Sequence, residues 1–274
     1  MNVLKFAVVV CLLAVTPALA WAEPEHAKLN TEDAGTVDPG HWELELSYSF
    51  TQARRSFDDH WSSGARSLLK EQEVGLGIKY GVAENLDVGL AIGYADIYDR
   101  DTGQLTGRGI TDLELGAKWR FYHNEARRLE IAYTPAVTLP TGRRENSDRV
   151  GITDDYVSIY NGIALSKDWS ERWTSNFDVG YNWPVGEDRH DSRGTLSANA
   201  ALGCQIADWL QPEVELNYAH DFNHGDDADA VAATAGLTMP VRDNVRVDLG
   251  VQRALCGRNA EHGMTLMAGL TLTY

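Results

Sequence analysis

The sequence predicts an all-β fold, a transmembrane antiparallel up-and-down β-barrel of about 12 strands that follows an N-terminal signal peptide. Three observations predict it. Segments of about ten residues alternate apolar and polar, the connections between them alternate short and long, and aromatics gather near segment ends on the apolar parity.

In chain order, Lys5 precedes an apolar run, Phe6 to Val15, that is too short to cross a bilayer as a helix. "TPALAWA" then ends in small residues at the spacing that signal peptidase reads. Residues 1–22 therefore read as a secretory signal cleaved after Ala20 or Ala22, and Cys11 within it lacks a lipoprotein-type box. Residues 23–40 are expected as a periplasmic N-terminal segment and residues 41–274 as the barrel. No later stretch approaches the roughly 18 apolar residues that a membrane helix needs.

In "HWELELSYSF" Trp42, Leu44, Leu46, Tyr48 and Phe50 share one face, and Glu43, Glu45, Ser47 and Ser49 share the other. The same period of two runs through "EVGLGIKYGV", "NLDVGLAIGY", "TDLELGAKWRFY", "RLEIAYTPAVTL" and "DYVSIYNGIAL". It continues through "RWTSNFDVGYNW", "TLSANAALGCQI", "LQPEVELNYAHDF", "DAVAATAGLTM", "NVRVDLGVQ" and "MTLMAGLTLTY". A helical chain does not sustain that period over so many segments.

The connections carry an independent signal. Short ones fall near Ala83, from His123, from Lys167, at Asp208 and at Arg242. Long ones span 51–67, 99–109, 141–152, 185–194, 223–228 and 254–262. A long loop first, a short turn next and both termini on the short-turn side is the order of an even-stranded outer-membrane barrel with periplasmic turns and extracellular loops.

A soluble sandwich or lipocalin-like barrel also alternates, but its strands need no aromatics at both ends. Here Trp42, Tyr48, Phe50, Trp119, Phe121, Trp173, Tyr181, Trp183, Trp209, Tyr218 and Phe222 share the apolar parity near strand ends, as two interfacial girdles would. Met264, Leu266, Ala268, Leu270, Leu272 and Tyr274 put a terminal aromatic on the lipid-facing row. That ending resembles the C-terminal signal of bacterial outer-membrane proteins, which implies the barrel-assembly machinery as a partner.

The opposite parity is the lumen. Its acids are Glu43, Glu45, Glu71, Glu73, Asp87, Asp112, Glu114, Glu130, Asp178, Glu213, Glu215, Asp221 and Asp248, against the bases Lys79, Lys118, Arg120 and Arg246. Such a lumen concentrates cations and repels anions. The lining expected near mid-barrel is Glu45, Glu73, Glu114, Glu130 and Glu215, with Lys118 and Arg120 as counter-charges. The competing expectation is that the bases neutralise neighbouring acids and leave a plugged structural barrel. Gly75, Gly77, Gly89, Ala91, Gly93 and Gly116 leave room inside, whereas Tyr156 and Tyr160 fill it.

The net charge of −16 excludes a nucleic-acid surface, which must be basic. A hydrolase reading rests on His190 and Ser192, spaced as in the His-x-Ser pair of outer-membrane phospholipases, but the pair sits in a polar loop. A metal reading rests on His220, His224, Asp226 and Asp227, whose spacing matches no strict calcium or zinc template. An acidic extracellular loop of that kind also suits lipopolysaccharide and its bridging cations. Cys204 and Cys256 are expected at opposite barrel ends and reduced. No cofactor is expected.

"LNTEDAGTVDPGHWELELSYSF", "EVGLGIKYGVAENLDVGLAIGY", "GITDLELGAKWRFY" and "YTPAVTLPTG" together resemble a family of proteobacterial outer-membrane transporters linked to a phenol meta-cleavage (MetA) pathway. The resemblance spans most of the mature chain and implies a channel-type barrel that passes aromatic or other small compounds. It supplies no catalytic residues. The expectation is therefore a passive, narrow, acid-lined channel in the outer membrane of a Gram-negative bacterium, surrounded by lipid and lipopolysaccharide. A closed barrel that binds partners through its loops and a lipid-modifying hydrolase are the alternatives.

Overall fold

The computed structural model describes residues 27–100, 105–144, 149–186 and 192–274, so the expected signal peptide lies outside the described residues. The strands are β1 (Trp42–Phe57), β2 (Ser63–Ala83), β3 (Leu86–Asp99), β4 (Leu105–Ile110), β5 (Leu113–Asn124), β6 (Leu129–Leu139) and β7 (Val157–Asp168). They continue as β8 (Trp173–Val185), β9 (Ser192–Cys204), β10 (Gln211–Asn223), β11 (Ala228–Arg242), β12 (Val245–Arg258) and β13 (Ala260–Thr273). Both β4 and β5 pair with β3, so they are one barrel strand interrupted at Thr111 and Asp112. The result is a closed barrel of 12 antiparallel strands.

Closure comes from β1 and β13, in register from Glu43↔Thr273 to Ala53↔Gly263. Trp42 and Tyr274 exchange both backbone hydrogen bonds at 2.8 Å, so the last residue sits in the seam. Without that seam, two strands would present unpaired edges.

Burial is inverted relative to a soluble domain. Val74, Leu216, Val214 and Trp183 are 53–60% exposed, whereas Asn176, Thr238, Gln211 and Thr234 are at most 2% exposed. Each strand thus turns its apolar parity outward to lipid and its polar parity inward, as the period of two requires. Trp42, Trp119, Trp169, Trp173, Trp209 and Tyr274 mark the short-turn end on the outside, and Trp183 and Tyr94 the other end.

Several connections read as loops are strand. β1 has 16 residues and β2 has 21, whereas a tilted strand crosses a bilayer in about 9–11. Residues 51–67 accordingly form a hairpin projecting beyond the membrane, turning at 58–62, and residues 254–262 form a similar one turning at Asn259. Outside the bilayer, lipid no longer enforces alternation, which is why these hairpins lack it in the sequence. The expected loop 99–109 is likewise strand from Leu105, and Tyr156 precedes β7.

Candidate functional site

The lumen is not left to water. The segment expected as a periplasmic lead-in instead packs within the barrel from Lys28 to Val37, and only then turns out at the short-turn end. Leu29 N–H donates to Glu213 (3.1 Å) and Glu215 (2.9 Å) on β10. Asn30 N–H donates to both Glu215 oxygens at 3.1 Å, and its amide reaches Thr234 on β11 at 2.9 Å. Further along, Glu32 N–H donates to Asp178 on β8, Ala34 N–H to Ser166 on β7 and Val37 N–H to Asp87 on β3. An extended chain has no internal partners for these amides, and wall carboxylates and the Ser166 hydroxyl supply them.

Side chains complete the fit. Lys118, buried on β5, pairs with Glu32 at 2.6 Å and Asp33 at 3.6 Å. Leu29 lies over Gly236 and Gly250, where a Cβ on either glycine would collide with it. Gly81 meets the Asp38 carbonyl in the same way at the mouth, where Gly40 N–H donates to Gly81 O at 2.8 Å.

Beside this segment an open cavity of about 460 Å³ remains against β1, β2, β3, β5 and β13. Glu45, Glu73, Asp112, Glu114 and Asp248 line it, with Lys28 and Arg246 as its cations. Gly75, Gly77, Ala91, Gly93 and Gly269 also line it and add little bulk. Glu45 is held by Lys79 at 3.0 Å, which also holds Glu43 at 3.1 Å. Tyr160, on the opposite wall, fills the space over Gly162 and Gly180.

The five acids expected near mid-barrel therefore separate. Glu45, Glu73 and Glu114 line the cavity, while Glu215 is buried beneath the inserted segment. Glu130 belongs elsewhere. It is the second residue of β6 after the short turn at 125–127, so it lies at the periplasmic rim, accepting from Arg120 (2.8 Å) and His123 (2.7 Å). Arg120 pairs with Glu130, whereas Lys118 pairs with Glu32 and Asp33 of the inserted segment.

At the extracellular end the connection between β6 and β7 packs on the inner face of β4, with Val150 O against Gly107 and Arg143 against Gly109. Asp112 anchors it, accepting from Gly142 N–H at 2.9 Å and Asp154 N–H at 3.1 Å. Partial desolvation, then the negative charges of Asp112, Asp155 and Asp221, raise the carboxyl of the largely exposed Asp154 from its ordinary value.

The four residues of the metal reading are not gathered into one group of ligand atoms. His220 Nδ1 bonds Asp229 at 2.7 Å, its Nε2 is 4.0 Å from Asp227, and Asp227 accepts from Asn223 N–H at 2.9 Å. His224 and Asp226 join no group of three ligand atoms; among the described residues only the exposed Asp58, Asp59 and His60 do so. His190 lies outside the described residues, and Ser192 opens β9. Cys204 and Cys256 are both free.

Sequence reasoning missed the inserted segment because "LNTEDAGTV" has no periodicity and so reads as linker. One signal was present. A lumen with many more carboxylates than cations needs other donors, and a stretch of extended backbone is a row of N–H groups.

Several solved structures share this architecture. The COG4313 outer membrane channel from Pseudomonas putida F1 is 13% identical, with a TM-score of 0.79 over 90% of this chain and 100% of that one. The NanC porin gives 0.56 at 7% identity over 84% of this chain and 98% of its own. The KdgM porin, solved with disordered oligogalacturonate, gives 0.53 at 7% identity over 84% and 99%. At these identities the likeness shows the shared barrel fold. No curated protein matches the chain. The match that assigns it is to a family model spanning residues 63–268, and the chain belongs to that family, described as "Putative MetA-pathway of phenol degradation".

Proposed function

We propose that the protein is a passive outer-membrane channel of a Gram-negative bacterium, passing small neutral or cationic solutes along the cavity beside its inserted N-terminal segment. The observation that carries this reading is the open space lined by Glu45, Glu73 and Glu114, in which Glu73 and Glu114 have no ion-pair partner among the described residues. Two unit charges roughly 4 Å apart interact by about 4 kcal/mol at an effective dielectric of about 20. An anion passing these carboxylates meets that repulsion, and a cation meets the matching attraction.

The phenol in the family's description fits this lumen as a neutral molecule, since a phenolic hydroxyl ionises near pH 10 (about). A carboxylated aromatic does not. The lipid-facing C-terminal strand supports recognition by the barrel-assembly machinery, and the acidic extracellular ends support contact with lipopolysaccharide through bridging cations.

The inserted segment favours a second reading, a barrel closed at rest. Swelling of liposomes that contain the mature protein separates the two. Uptake of phenol-sized neutral and cationic solutes, with benzoate excluded, supports the channel, and no uptake of any solute by folded barrel supports the closed state.

A further inference from the structure

The lumen leaves one basic feature unused, on the outside of the barrel. Where the β5–β6 turn meets the end of β7, a second cavity of about 380 Å³ is lined by Arg127, Arg128, Lys167, Asp168 and Trp169. Three cations and one acid line it, on a chain whose net charge is −16.

Its position is set by register. Lys167 pairs opposite Leu129 and shares its face with Leu165 and Ile163, so it points outward at the foot of the lipid-facing band. The Lys167 ammonium donates to the Arg127 carbonyl and lies 5.6 Å from the centre of the Trp169 ring. Trp169 is itself fixed, donating through its indole N–H to Ser175 at 2.8 Å. Asp168 N–H donates to the Arg128 carbonyl at 3.0 Å, which ties the two turns together. The side chains of Arg127 and Arg128 are exposed, and neither has an ion-pair partner among the described residues.

We propose that this cavity binds the phosphate of an anionic phospholipid in the periplasmic leaflet, with its acyl chains along Leu129, Leu165 and Ile163. The inference rests on the membrane topology given above, which puts short turns at the periplasmic side. Three features point to a lipid. The cations sit at the depth where headgroup phosphates lie, an interfacial tryptophan borders them, and the apolar band starts directly above. Arginine's forked donors suit phosphate oxygens, and a neighbouring lysine adds charge.

The test uses the full-length mature barrel, refolded, delipidated and given equal amounts of phosphatidylglycerol and phosphatidylcholine, with retained lipid read by native mass spectrometry. Preferential retention of phosphatidylglycerol is expected, and R127Q/R128Q should cut that preference by roughly tenfold or more. R127K/R128K should keep most of it, and heat-dependent gel mobility verifies that each variant is folded. Equal retention of the two lipids, or an unchanged preference in R127Q/R128Q, overturns the proposal. Displacement of phosphatidylglycerol by millimolar inorganic phosphate would identify a free-anion site and overturn the lipid assignment. Channel conductance reports separately on the lumen, so failure of the channel reading leaves a different trace.

Discussion

Glu215 holds the inserted segment at Asn30: both carboxylate oxygens accept the Asn30 backbone N–H at 3.1 Å, and one also accepts from Leu29 at 2.9 Å. A wall acid expected to face solute is thus occupied by the chain's own backbone. Hydrogen bonds to a charged acceptor contribute about 1.5–3 kcal/mol each, so Glu215→Gln should loosen the segment by a factor of roughly ten. Deleting residues 23–37 should raise single-channel conductance, and Glu215→Gln should add open-level flicker. Equal traces from all three proteins would show that the segment does not limit flow.

Lys118 fixes the same segment from the opposite wall through Glu32 and Asp33. Lys118→Met leaves both carboxylates without that cation. The expected result is stronger cation preference together with more flicker, read as a larger reversal potential in a salt gradient. A smaller reversal potential would mean that Lys118 does not offset the lumen acids.

Asp154 makes the extracellular connection sensitive to pH. Its carboxyl is raised above the ordinary value of 3.8, so the docked state holds a proton that the undocked state has lost. Docking is therefore favoured below that window and weakened as pH rises through it. Proteolysis of the connection between β6 and β7 should speed up from about pH 4 upward, and Asp154→Asn should flatten the profile. Slower cleavage with rising pH would reverse the assigned sign.

On the outer face near the extracellular end, Asp229 accepts from Tyr218 (2.9 Å) and is bonded by His220 (2.7 Å) and Arg258 (2.9 Å). The cluster is structural, joining β10, β11 and β12. Asp229→Ala strands three partners and should cost about 1–3 kcal/mol of stability, measured as a lower urea midpoint. Zinc or EDTA should leave the wild-type midpoint unchanged. A zinc-dependent rise abolished by His220→Ala would restore the metal reading.

The barrel was legible because lipid outside and polar groups inside impose a period of two on every spanning strand. Leu86 to Tyr94 follows that period, as does Met264 to Tyr274 apart from Met267, and the turns between short-linked strands fall where the sequence puts them. Legibility stopped where the bilayer stopped. The ends of β1 and β2 carry Arg54, Arg55 and Ser63 to Ser67, which lie beyond the lipid and lose the pattern. Within the lumen, parity identified which acids point inward but could not assign their partners. Glu73 and Glu114 face the cavity while Glu215 holds backbone amides, a distinction that depends on where a non-periodic segment of the same chain runs. Glu130 was misplaced along the axis for a simpler reason, that its distance from the turn at 125–127 was not weighed.

The central claim is an acid-lined path beside the inserted segment, and single-channel recording of the refolded protein lacking residues 1–22 in a salt gradient tests it most directly. The account predicts discrete openings whose reversal potential shows cation preference, reduced when Glu73→Gln and Glu114→Gln are combined. Openings that favour anions, or a preference unmoved by that pair of substitutions, would contradict it.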